Sequence, residues 1–217
     1  MVRLAGALVL AAAVCAAGCV PVLVGGAAAS GAMVAVDRRT TDVQLADERI
    51  GHQASSRIGE LVKDNGHVNV TSFNKQVLIT GEVPTEELKQ KIEQIAAGVP
   101  DVKVVFNELQ VGPSTSFSSR SNDSYLTSAV KARFVSDGKF NALHVIVVTE
   151  DGVVYLMGLV TRSEADDATR IARYTSGVKR VVRLFEYIVY STEPQPKAAA
   201  PAAPAAPAAP AAPEAPK

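Results

Sequence analysis

Val77-Leu-Ile-Thr-Gly81 and Val154-Tyr-Leu-Met-Gly158 lie 77 positions apart and share one pattern, apolar residues at alternate positions closed by a glycine. Alternation of this kind marks a strand with one face in a core. Two copies of one strand imply two copies of a unit, so the reading works outward from this pair. Further on, Gly98-Val99 and Val102 through Phe106 match Gly177-Val178 and Val181 through Phe185 at an offset of 79, which puts two extra residues in the second connecting segment. Before the strand, the second copy carries about five more residues, around Ser136 to Ala142.

Each copy has one order of elements. A helix opens it, with Ile50, Ala54, Ile58, Leu61 and Val62 at helical spacing in the first copy and Leu126, Val130 and Phe134 in the second. A strand pair follows, Val68 to Thr71 with Gln76 to Gly81, and Val145 to Val147 leading through Asp151-Gly152, a favoured hairpin turn, into Val153 to Gly158. A second helix starts behind Thr85 in one copy and Ser163 in the other. A last strand closes each unit, Lys103 to Val111 and Arg180 to Tyr190. The expected fold is α+β: two tandem αββαβ domains, each a three-stranded mixed sheet packed on two helices. Gly81 and Gly158 read as strand ends, and Gly98 and Gly177 as left-handed positions just past a helix.

The ends of the chain are of different composition. From Leu4 to Val36 there is no charged residue, and Arg3 precedes an apolar run that ends in Ala16-Ala17-Gly18 before Cys19. That is the layout of an export signal, and the small residues before cysteine resemble the bacterial lipobox, with Ala16 where Leu is usual. Residues 1–18 then form the signal peptide, Cys19 carries the acyl chains, and 19–44 is a tether. An uncleaved membrane helix is the competing reading, against which Pro21, Gly25, Gly26 and Gly31 interrupt the run. Several acyl chains hold a protein on a bilayer at about 0.8 kcal/mol per buried CH₂. Val20 in place of Asp favours, by the same resemblance, sorting to the outer membrane. Residues 113–119 are the linker between copies (45–112 and 120–190), and 191–217 is an Ala/Pro-rich tail with polyproline periodicity, a spacer or a wall-reaching arm.

The strand pair ending in glycine, the Gly-Val after the second helix and Asn107-Glu108 or Glu186 in the last strand resemble the BON domain, twice, over roughly residues 45 to 190. With the lipobox and Ser121-Asn122-Asp123, the chain is similar to the dual BON-domain outer-membrane lipoproteins. The resemblance implies binding of phospholipid or another hydrophobic ligand at a membrane, and a part in outer-membrane integrity.

Charge separates the copies. The whole chain has 22 Lys and Arg against 22 Asp and Glu, which removes the electrostatic case for nucleic acid. The first copy is net −3 and the second net +2, and a positive unit suits an anionic lipid surface. On the helix of the second copy, Tyr125 points about 140° from the buried face, beside Ser128, Ala129 and Ala132, with Lys131 and Arg133 flanking and Lys139 following. Tyr125, Ser128, Lys131, Ala132, Arg133 and Lys139 are therefore the expected contacts for phosphatidylglycerol or cardiolipin. Val153, Tyr155 and Met157 form an apolar stripe on the outer sheet face, to be covered by the first copy or by a protein partner. An adaptor for an envelope protein or the cell wall, using that stripe, the acidic first copy or the tail, is the alternative. No catalytic residue, cofactor or metal is expected. His52, His67 and His144 lie in different elements, Asp166-Asp167 reads as a solvated pair, and if Cys15 leaves with the signal and Cys19 is acylated no thiol remains.

Overall fold

A computed structural model describes residues 37–188. Cys19, the signal, most of the tether and the Ala/Pro tail lie outside the described residues. The element order is α1 (Thr41–Val62), β1 (His67–Phe73), β2 (Gln76–Val83), α2 (Glu86–Ala97), β3 (Val104–Asn107) and β4 (Gln110–Val111). The second half follows with α3 (Phe117–Asp137), a 3₁₀ turn (Ala142–His144), β5 (Val145–Glu150), β6 (Val153–Val160), α4 (Arg162–Arg173) and β7 (Arg180–Tyr187). The αββαβ unit is present twice, its last strand broken in the first copy into β3 and β4, which both pair parallel with β2. α1 begins inside the stretch read as tether, and α3 begins inside the stretch read as linker, behind Ser116, whose hydroxyl accepts from Ser119 N at 3.2 Å.

In each sheet the middle strand pairs antiparallel with the strand before it and parallel with the strand after the helix. Alternation then sends successive side chains of that strand into two different cores. Val77, Ile79 and Val83 pack beneath α1 and α2 with Ile50, Ala54, Ile58 and Ile92. Val154, Leu156 and Val160 pack beneath α3 and α4 with Val130, Phe134, Ala168 and Ile171. The other faces meet each other: Phe73 and Leu78 of the first domain close on Val153, Tyr155, Met157 and Leu184 of the second. The molecule is four layers, helices, sheet, sheet, helices. Leu61, expected on the buried stripe of α1, is exposed, because Val62 takes the core position.

The two copies share a buried constellation that fixes their register. Asp47 on α1 accepts from Asn74 N and Lys75 N, both at 2.7 Å, from Ser72 Oγ at 2.8 Å and from Arg39 Nη1 at 2.7 Å. Asp123 on α3 accepts from Asp151 N at 3.0 Å and Gly152 N at 2.8 Å. Each carboxylate ties the first helix to the hairpin turn, where Asn74, Lys75, Asp151 and Gly152 all have positive φ.

This pairing corrects the spacing between copies. Asp47 and Asp123, the helix caps Thr85 and Thr161, and Lys103 and Lys179, whose N–H groups bond Lys75 O and Gly152 O, are all related by an offset of 76. Only the strand pair stands at 77, as Val68 opposite Gly81 and Val145 opposite Gly158 show. The second copy therefore has one extra residue before its hairpin, not about five, with the segment after Asp137 rewound through left-handed Gly138 into the 3₁₀ turn. It has no insertion after α4.

Three local readings change with it. Gly98 caps α2 at φ −81 and is not left-handed; the counterpart of Gly177 (φ 91) is Asp101 (φ 72). The cap of α4 is Thr161, not Ser163: its hydroxyl accepts from Glu164 N at 3.2 Å while Glu164 Oε2 accepts from Thr161 N at 2.8 Å, a capping box. Gly81 and Gly158 lie inside their strands, where an added Cβ would stand 1.9 Å from the His67 carbonyl oxygen and 2.3 Å from that of His144.

Candidate functional site

Helix α3 buries Leu126, Val130 and Phe134 against its sheet. At about 100° per residue, the opposite arc of about 120° holds Phe117, Ser121, Ser124, Tyr125, Ser128, Lys131, Ala132 and Val135. No carboxylate falls in that arc. Three of its side chains are large and apolar yet exposed, Phe117 at 79%, Tyr125 at 68% and Val135 at 72%. Phe117 and Val135 stand at the two ends of the helix, about 27 Å apart at 1.5 Å per residue. Between them two of the three serines are satisfied internally: Ser124 Oγ donates to Arg120 O at 3.1 Å, and Ser128 Oγ donates to Ser124 O at 3.0 Å. Hydroxyls already bonded to the helix cost less to remove from water than free ones.

Of the six residues expected at a lipid surface, Tyr125, Ser128, Lys131 and Ala132 share this exposed face. Lys131 makes no ion pair among the described residues. Arg133 turns away and donates to the Tyr174 carbonyl at the end of α4. Lys139 lies beyond the helix end, 3.8 Å from Asp167. Phe117 and Val135 were not anticipated. Val135 follows core residue Phe134, and Phe117 sat in a stretch taken for linker, so only the extra turn at the start of α3 aligns them.

The stripe Val153, Tyr155 and Met157 is covered by the first domain and offers nothing to an outside partner. Tyr155 is 1% exposed, and burial pushes its hydroxyl up to about 12, so it stays protonated. Polar groups rim this seam. Asn69 Nδ2 donates to Glu150 Oε2 at 2.9 Å, and Asn74 Nδ2 donates to Glu186 Oε1 at 2.8 Å. Burial, with Glu82 nearby, raises the Glu150 carboxyl above its ordinary range against the lowering effect of Asn69.

A strap at the start of the described chain crosses the same seam. Arg38 donates through Nη1 and Nη2 to the two Glu164 oxygens at 2.8 Å, and through Nη1 also to Leu159 O at 2.7 Å. Those bonds hold the Glu164 carboxyl down at about 2. Arg39 pairs with Asp37 and Asp47 and lies 4.2 Å over the Phe73 ring. The segment leading from the tether is thus fastened to both domains.

The BON-domain model matches residues 47–113 and 122–188. The chain belongs to the BON-domain family. It is 41% identical over 173 residues to the outer membrane lipoprotein DolP of Haemophilus influenzae, covering 79% of this chain and 89% of that one. It is 30% identical to a 21 kDa hemolysin of Actinobacillus pleuropneumoniae, over 70% of this chain and 80% of that one. The osmotically inducible protein Y of Escherichia coli is 32% identical over 52% of this chain and 58% of its own. Each matched range begins within the opening helix and spans one helix-backed sheet, so each BON unit is one helix–sheet layer pair. With this kinship the chain is a dual BON-domain outer-membrane lipoprotein facing the periplasm. Among the described residues no helix is long and apolar enough to cross a membrane.

Proposed function

We propose that the protein is held in the outer membrane through acylated Cys19, and that its second BON domain binds anionic phospholipid through the exposed face of α3, supporting the integrity of that membrane. The supporting observation is the face itself: Phe117, Tyr125 and Val135 project from a carboxylate-free stripe in which the Ser124 and Ser128 hydroxyls are bonded within the helix, with Lys131 at its edge. Apolar side chains enter the acyl boundary while the tyrosine hydroxyl and the ammonium group remain at headgroup level. The acyl anchor supplies attachment, and α3 supplies recognition. No step is catalytic, and none of the three relatives bears the name of an enzyme.

Cosedimentation of a non-acylated chain of residues 37–193 with phosphatidylglycerol or cardiolipin vesicles tests this. Tyr125→Ala and Lys131→Glu each weaken binding without altering the fold, and binding falls with salt. Unchanged cosedimentation of both variants removes α3 from the mechanism.

A further inference from the structure

A groove of about 640 Å³ runs along the far side of the second domain, between α4 and β7, apart from the exposed arc of α3. Its helical wall is Asp166, Thr169, Arg170, Arg173 and Tyr174, positions i, i+3, i+4, i+7 and i+8 of one stripe. Its other wall is Val181 and Arg183 on β7, the outermost strand of its sheet. Arg173 also lines an adjoining hollow with Lys179 and Arg180, so the basic surface continues past the groove mouth.

The guanidinium groups are not used up by their neighbours. Among the described residues Arg173 and Arg180 make no hydrogen bond or ion pair. Arg183 holds Asp166 at 2.8 Å, but Asp166 is 74% exposed, and an ion pair in water is easily exchanged for a better ligand. Arg170 bonds Asp167 at 2.9 Å and lies 3.8 Å from Asp137. Helix-end carbonyls would repel an anion, yet here Arg133 already occupies the Tyr174 carbonyl. Basic side chains near a helix end and on an outer strand also serve the helix dipole and discourage edge pairing. Neither role requires the Arg173 and Arg183 forks to face one groove beside an exposed Tyr174 ring.

We propose that this groove binds a phosphoryl group, with Arg173 and Arg183 as the primary forks, Arg170 beside them, and Tyr174 packing against whatever carries the phosphate. A carboxylate presents two coplanar oxygens, which one guanidinium fork grips edge-on. Several forks converging from a helix and a strand suit a tetrahedral group with three or more free oxygens. The carrier is a lipid headgroup or a phosphorylated sugar, and the ligands below separate the two. The proposal stands independently of lipid binding by α3.

The test uses the mature acylated chain in uncharged detergent micelles at low ionic strength, titrated with inorganic pyrophosphate, glucosamine 6-phosphate and glycerophosphoglycerol. Amide signals of Arg173, Tyr174 and Arg183 shift saturably, those of Tyr125 and Lys131 do not, and the tighter of the two organic phosphates identifies the carrier. The pair Arg173→Gln with Arg183→Gln weakens binding about tenfold or more, and the pair with Lys weakens it at least about threefold because the fork is lost while the charge remains. Lys131→Gln leaves this binding unchanged while impairing vesicle binding, so failure of one reading is distinguishable from failure of the other. Absence of saturable shifts, full retention by the Lys pair, or tighter binding of a polyglutamate peptide than of pyrophosphate overturns the proposal.

Discussion

At Gly81 the backbone has φ +118 and passes so close to β1 that a methyl group would collide with the His67 carbonyl. Gly98, expected from sequence to be left-handed, sits instead at an ordinary helix-end conformation with its nearest obstruction, Gln94 O, at 3.3 Å from an added Cβ. Alanine at the two positions therefore separates strain from mere flexibility. Gly81→Ala is expected to lower unfolding free energy by at least about 2 kcal/mol, through a backbone clash and a disfavoured φ. Gly98→Ala is expected to stay within about 1 kcal/mol of the parent, since the residue change there acts mainly on the unfolded chain. Urea midpoints of the two variants check this; equal losses would mean that the strand crossing is not the constraint. The aspartates teach a related lesson. Asp47 and Asp123 are single polar residues on the buried sides of α1 and α3, a placement that only a partner makes tolerable. The sequence marks Asp151-Gly152 as a turn, and the open N–H groups of the two turns are what the carboxylates take.

Helices α2 and α4 are legible in the sequence behind a capping hydroxyl, Thr85 for α2, although the cap of α4 is Thr161 and not Ser163. The Thr-x-x-Glu spacing from Thr161 to Glu164 was the available signal. Helix α3 was harder. Its inward face was evident from Leu126, Val130 and Phe134, but its first turn carries serines and one phenylalanine, which have the composition of a linker. That turn decides how much apolar surface the helix exposes. If α3 lies along a bilayer, both of its ends participate, so Phe117→Ser and Val135→Ser should each weaken binding to phosphatidylglycerol vesicles severalfold. Thermal stability should hardly change, because neither side chain enters a core. Retained binding in the double variant would confine the contact to the neighbourhood of Tyr125.

Across the whole molecule the decisive contact is sheet on sheet. Met157 is fully buried between the domains, so Met157→Asp places an unpaired carboxylate there. Each domain retains its own helix-backed core, and the expected result is a lower first transition with the domains unfolding in separate steps; a single unshifted transition by calorimetry would contradict the interface. The seam is also pH-sensitive, in two opposing directions. Glu164, held at about 2 by Arg38, contributes stability that is complete above the ordinary carboxyl range and lost as pH falls toward 2. Glu150, raised by burial, costs stability when ionised and relieves that cost as pH falls through its raised value. Arg38→Ala should therefore reduce the acid-labile part of the stability, and Glu150→Gln should raise the melting temperature near neutral pH while keeping an oxygen for Asn69. Melting curves from pH 3 to 8 distinguish the two. What the amino-acid order determined by itself was periodic: a repeated unit, its αββαβ order, the core positions and the resemblance to a family, all of which rest on local spacing. The offsets between copies are not fixed by sequence, because short apolar matches such as Gly-Val align at more than one register, and the hydrogen bonds that Asp47 and Asp123 accept, with the helix caps, choose among them. Tertiary structure alone decided that the Tyr155 stripe faces the first domain, that Arg38 reaches Glu164 from 126 residues away, and that arginines on α4 and β7 face one groove. Such contacts join residues distant along the chain, and their energies depend on separation in space, which no periodicity encodes.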